Sequence, residues 1–232
     1  MSIIIGHARI SENGTVNGKA GDQTGREVEM SPWYDNKWLF MLRPMTTTQA
    51  EKSAICCEKI CRNSNVGYDQ LGAVNRNTLR AEILKVGYDN AERIKTPCNC
   101  DCSSLMHVCA EAGGAKIPVY SGNCQTTATM EKDFPASGAY AIFRDDKYLR
   151  SDKNLKRGDI LVSSGHTAMA LENGADAEHE GKIKMIVNGR ECWVQGTYKS
   201  GTNTISGTVR EIFGAMGAEI SNNGSTPIIK IK

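Results

Sequence analysis

Apolar positions along this chain repeat at two spacings, every second residue and every three to four, and the changes of spacing divide it into elements. Residues 1–45 follow the shorter period. A strand over Ile3–Ile10 leads through Glu-Asn-Gly and the loop NGKAGDQTG to a second strand around Arg26–Met30, and SPWYDNKWLFMLRP runs on to Pro44. Thr46-Thr47-Thr48 then supply hydroxyl caps for a helix reaching about Arg62. NSNVGYDQ reads as a turn, and Asn77–Val86 as a second helix stopped by Gly87. A third helix begins at Cys102, carries Leu105, Met106, Val108, Cys109 and Ala112, and ends at Gly113-Gly114. Thr126–Lys132 suits a short fourth helix. Lys156-Arg157-Gly158-Asp159 turns into a strand over Ile160–Ser163, whose hairpin return carries His166. Along that return strand His166, Ala168, Ala170 and Glu172 share one face, and Thr167, Met169 and Leu171 the other, because strand side chains alternate.

The aperiodic polar stretch Gly174–Gly181 reads as a boundary. Beyond it Lys184–Asn188 and Glu191–Gln195 flank Asn188-Gly189, a hairpin signal. A helix near Thr208–Met216 and a strand over Pro227–Ile231 complete a small tail. The pattern predicts an α+β fold in two parts, residues 1–175 and residues 182–232.

Composition narrows the function. A formal charge of +2 with both signs interspersed offers no basic stripe for nucleic acid, and no acidic tail is present. The N-terminus has only a three-residue apolar run, and no stretch approaches the ~18 residues that suggest a membrane span. The expectation is a soluble chain made in the cytoplasm without a Sec signal of its own. Nine cysteines, an odd count, then imply reduced thiols rather than a disulfide frame. Cys57 and Cys61 share a helix face with Ala50 and Ala54 and read as small core residues.

The candidate chemistry lies in CNCDCSSL, residues 98–105. Cys102 stands at the mouth of a helix, where unpaired amides and the helix dipole favour a thiolate. His166, on a strand start, is the matching base, so the pair has the logic of a cysteine hydrolase. Backbone amides of Cys102 and Ser103 are placed to meet an oxyanion, with Asp101 beside them and Tyr68, then Gln23, as further donors. The group that orients His166 stays open among Glu172, His179, Asn173 and Asn188. Trp33, Tyr34 and Trp38 offer a stacking wall for sugar or peptide, with core packing as the competing role. His107 reads as a surface or packing residue. His7 reads as a strand histidine, or as a site residue if the N-terminal strands line the cleft. Cys98, Cys100 and Cys102 with Cys109 raise a zinc alternative, but an alternating triple suits a tetrahedral site poorly. No metal or other cofactor is expected.

Asp101-Cys102-Ser103-Ser104-Leu105, then Arg157-Gly158-Asp159-Ile160-Leu161-Val162 and Gly165-His166-Thr167-Ala168, resemble the NlpC/CHAP superfamily of peptidoglycan hydrolases. The opening Gly6-His7-Ala8, Ala20 to Val28, Trp33-Tyr34 and Leu42-Arg43-Pro44 resemble more narrowly the endolysins of phages and prophages of clostridia-like hosts. The resemblance implies a papain-like fold, Cys102 as nucleophile, His166 as base and Tyr68 near the oxyanion. It also implies bacterial peptidoglycan as partner, cut at an N-acetylmuramoyl-L-alanine amide or a peptide bond, with no nucleic acid and no membrane insertion. Release to the wall would then depend on a holin. The tail resembles the stalk module named after the copper amine oxidase N-terminal domain, which implies wall binding or homo-oligomerisation and no copper. The competing expectation is a wall-binding or virion structural protein that keeps a papain-like fold without catalysis.

Overall fold

The computed structural model describes residues 2–9, 19–71 and 75–177, and strands between residues 182 and 230. The chain divides into two compact units, Met1–Ala177 and Glu178–Lys232.

The first unit mixes helices with a six-stranded sheet. Its strands are β1 (Ile4–Ala8), β2 (Val28–Pro32), β3 (Phe40–Pro44), β6 (Tyr140–Phe143), β7 (Ile160–Ser163) and β8 (His166–Ala170), and the short β4 (Val66–Tyr68) and β5 (Cys98–Cys100) form a separate parallel pair. The sheet order is β2-β1-β8-β7-β3-β6, antiparallel throughout. The helices are α1 (Thr47–Cys61), α2 (Thr78–Val86), α3 (Cys102–Ala112), α4 (Thr127–Ala136) and the single turn α5 (Asp146–Leu149).

Local chemistry accounts for the helix ends. Thr46 caps α1 by accepting from the Gln49 amide at 3.2 Å. Gly87, at φ 86° and ψ 146°, takes a positive-φ conformation open to glycine and ends α2. Asp101 caps α3 through the Ser104 amide at 2.7 Å, and Ser104 Oγ returns an acceptor to the Asp101 amide at 2.8 Å, a full capping box.

Both faces of the sheet are covered. On one face Val28, Leu42, Val162 and Met169 share a buried cluster with Ala54 and Ile60 of α1 and Leu105 and Met106 of α3. On the other, Ile5, Met41, Leu161, Ala168 and Ala170 pack with Trp38, Tyr148 and Leu155. Gly6 permits the close approach of α1, since a Cβ there would stand 2.5 Å from Cys57 Sγ. Asp159, fully buried, holds Arg43 through a two-point ion pair at 2.6 and 2.9 Å and also accepts from the Lys156 amide. The Gly158-Asp159 pair of the motif therefore anchors the start of β7.

In the second unit β9 (Lys182–Val187), β10 (Arg190–Lys199) and β11 (Thr204–Gly207) form an antiparallel meander, and β12 (Glu219–Asn223) pairs with β13 (Thr226–Lys230). The expected strands Lys184–Asn188 and Glu191–Gln195 correspond to β9, which starts two residues earlier and is described to Val187, and to β10, which extends beyond both expected ends. The expected helix near Thr208–Met216 lies outside the described residues, as do His179 and Asn188.

Candidate functional site

Cys102 is the first residue of α3, with its sulfur 3.9 Å from the Gly165 carbonyl oxygen. The Thr167 and Ser103 amides lie close enough to favour its anion. Strand pairing explains this placement. The β1–β8 ladder runs through Ile5↔Ala170 and Gly6↔Met169 and then stops, although both strands continue. Beyond that point the Thr167 amide lies near the sulfur. The sulfur thus rests against the backbone on both sides of His166.

The same geometry brings a second imidazole to the first. Continued in register, His7 stands opposite Ala168 and shares a face with its diagonal neighbour His166. His7 Nδ1 lies 3.1 Å from His166 Nε2, with the rings edge to face at 5.3 Å between centroids. His7 Nε2 lies 3.1 Å from Ser31 Oγ and 3.7 Å from Glu29 Oε1. Trp38, fully buried, stacks on His166 at 6.0 Å, and Tyr34 stands 6.0 Å from His7. Among the described residues the hydrogen bond of the His166 ring goes to His7, and the thiol's goes to Gly165.

Burial sets the charge state. Desolvation and the Asp101 carboxylate push the Cys102 thiol up to about 12, against the opposing pull of the Thr167 and Ser103 amides and Arg76. Desolvation first, and the Arg9 cation second, lower His166 to about 4. Burial, the His166 charge and Arg9 lower His7 to about 3. The resting pair is a neutral thiol and a neutral imidazole, which corrects the thiolate expected from the helix start. The helix amides do favour the anion, but at 5 % exposure desolvation outweighs them.

Asp101 is held by Arg76, a residue that carried no motif. Arg76 Nε and Nη2 reach the two Asp101 oxygens at 2.6 and 3.1 Å, and Nη2 also reaches Ser103 Oγ at 2.8 Å. Its remaining contacts are the Cys124 and Gln125 carbonyls. This guanidinium ties the start of α3 to the segment before α4.

The other expected site residues fall apart. Glu172 accepts from the Ile4 amide at 2.9 Å, at the opposite end of β8 from His166, so it does not orient the imidazole. Asn173 accepts from the Arg157 amide. Gln23 spends its amide nitrogen on the Ala20 and Gly21 carbonyls of its own loop and gives the site no donor. Tyr68 is buried, its phenol is raised first by that burial and then by its nearness to Cys102, and its hydroxyl donates to Gln70 at 2.7 Å. Trp33 is half-buried against the second core cluster, so of the aromatic trio only Tyr34 presents an exposed ring. His107 is fully buried, with Nδ1 on Gln125 Oε1 and Nε2 3.4 Å from Glu111. Cys100 Sγ turns to the Gly67 carbonyl while Cys102 turns to Gly165, so the alternating cysteines diverge. Among the described residues no three His, Cys, Asp or Glu side chains are grouped to hold a metal ion.

Residues 5–177 match the endolysin-like domain family, a match that covers both Cys102 and His166. It supports a phage endolysin-like protein with a hydrolytic, cell-wall-lytic function. No curated protein and no solved structure matches the chain.

Proposed function

The chain belongs to the endolysin-like domain family, and from that premise we propose that it is a cysteine-dependent peptidoglycan hydrolase of papain-like architecture. The observation that carries the reading is the sulfur at the start of α3 resting against the residues on either side of an imidazole that is itself bonded to a second imidazole.

The tautomers that suit this chain of contacts have His7 Nε2–H donating to Ser31 and His166 Nε2–H donating to His7 Nδ1. That tautomer leaves His166 Nδ1 as the basic nitrogen of the ring. In attack, the thiol leaves the Gly165 carbonyl and its proton passes to His166 as sulfur bonds to the amide carbon of the wall. The oxyanion is met by amides at the start of α3. The imidazolium returns its proton to the leaving amine, which departs and leaves a thioester. A water then gives a proton to His166 and adds to the thioester, and Cys102 leaves with that proton. His7 takes the orienting role here, in place of Glu172. A neutral pair makes His166 a general base in the attacking step rather than the partner of a standing thiolate.

The substrate in this reading is bacterial peptidoglycan, cut at an amide of its stem. The Glu178–Lys232 unit serves as a wall-binding or self-associating stalk. The enzyme is made in the host cytoplasm and reaches the wall after a holin opens the membrane. Cys102→Ala and His166→Ala should each abolish the clearing of wall suspensions while leaving the circular dichroism spectrum unchanged. Clearing retained by either folded variant defeats the assignment.

A further inference from the structure

A cavity of about 380 Å³ opens beside the start of α3, lined by Gln70, Arg76, Tyr120, Asn123, Thr126 and Thr129 among others. That volume lies in the range of small-ligand sites. Two of its walls are shared with the candidate site. Arg76 also holds Asp101 and Ser103, and Gln70 accepts from the Tyr68 hydroxyl.

The lining selects a kind of ligand. Arg76 is the one ion among these six, and its donors are taken by Asp101, Ser103 and two carbonyls. Its charge is therefore matched, and it does not recruit an anion. The other five offer neutral amides and hydroxyls. Tyr120 adds a half-exposed aromatic ring, fixed in place by its hydroxyl donating to Asp133 at 3.0 Å and by a two-way backbone bridge to Asn123. The turn between them is tight, with Ser121 and Gly122 both at positive φ. A rigid aromatic face beside neutral hydrogen-bonding groups suits a ligand that is uncharged, rich in hydroxyl and amide groups, and apolar on one face. A pyranose with an acetamido substituent has that chemistry, whereas wall stem peptides carry carboxylates and ammonium groups.

We propose that this cavity is a subsite for an N-acetylated hexosamine of the glycan strand. The proposal rests on the reading of Cys102 as nucleophile for its consequence: a sugar held against Arg76, whose guanidinium grips Asp101 and Ser103 on either side of Cys102, selects the amide joining muramic acid to the first residue of the stem, so the enzyme is an amidase rather than an endopeptidase.

The test uses the full chain carrying Cys102→Ala, titrated calorimetrically with N-acetylmuramoyl-L-alanyl-D-isoglutamine and with the sugar-free L-alanyl-D-isoglutamine. The muramoyl compound should bind at least tenfold more tightly. Adding Tyr120→Ala should weaken it about tenfold, or ~1.4 kcal/mol, while Tyr120→Phe, which keeps the ring, should stay within about threefold. Equal binding of the sugar-free dipeptide, indifference to Tyr120→Ala, or no binding of the muramoyl compound at millimolar concentration overturns the subsite. The two readings fail separately. Wall clearing that survives Cys102→Ala removes the nucleophile but leaves the titration to decide the sugar site. Clearing that depends on Cys102 alongside binding that ignores Tyr120 removes the sugar site alone.

Discussion

His7 Nδ1 and His166 Nε2 lie 3.1 Å apart, across the point where β1 and β8 stop pairing. A neutral imidazole rotates freely about its Cβ unless something fixes it, and this contact holds the ring angle of His166; in the proposed scheme, with His7 Nε2–H donating to Ser31, it also sets the tautomer. His7 is a positioning residue in this scheme, since it faces His166 and not the sulfur. His7→Ala should lower kcat on wall fragments by roughly 10- to 100-fold with little change in KM. His7→Gln, which can still accept at that distance, should recover part of the loss. If His7→Ala leaves kcat intact, the second imidazole only fills space.

The charge state of the pair has a direct chemical readout. Because burial raises the Cys102 thiol to about 12 and lowers His166 to about 4, almost no thiolate is present at neutral pH. Iodoacetamide should therefore modify Cys102 more slowly at pH 7 than it modifies a free cysteine, and the rate should climb steadily between pH 7 and 10. The wall-lytic rate should behave differently. Its acidic limb follows protonation of His166, so activity should persist at pH 5 and fall only as pH drops toward about 4. Rapid, pH-independent alkylation above pH 5 would show a standing thiolate–imidazolium pair and reject the neutral one.

Caps and periods made α1, α2 and α3 legible within a residue or two at most ends, because Thr46, Gly87 and the Asp101–Ser104 capping box act locally. The alternation that placed His166 and Ala168 on one face was legible for the same reason. Partnership between distant segments was not. β4 and β5 are three residues each and pair across some thirty positions, too short to announce themselves. The β1–β8 contact joins segments about 160 positions apart, and only that contact identifies His7 as the neighbour of His166. Arg76 precedes its helix with no pattern of its own, and its meaning comes from Asp101. The thiol's charge state was misjudged for a related cause. A helix start is visible in eight residues, whereas the desolvation that overrides it is set by tertiary burial.

Glu172 shares the strand face of His166, yet its carboxylate accepts from the Ile4 amide. Its contribution is to join the end of β8 to the start of β1. Glu172→Gln should keep wall-lytic activity within about twofold and cost on the order of 1 kcal/mol of stability, the size of one exposed charge-assisted hydrogen bond. Activity assays and urea denaturation of the same preparation separate the two effects. A loss of activity beyond tenfold at unchanged stability would return Glu172 to the catalytic group.

The Arg76–Asp101 pair couples the fold to the start of α3. Both side chains are largely buried, at 8 % and 12 % exposure, so neither charge can fall back on water when the other is removed. Arg76→Met leaves an unmatched carboxylate next to Cys102 and frees the Cys124 and Gln125 carbonyls, and should cost roughly 3–5 kcal/mol. The stranded negative charge should also raise the Cys102 thiol further, since Arg76 now pulls it down. Asp101→Asn keeps a capping oxygen for the Ser104 amide and removes the charge, so combining it with Arg76→Met should recover part of the lost stability. The measurement is a double-mutant cycle by chemical denaturation. Simple additivity of the two substitutions would mean that the ion pair does not hold the helix start.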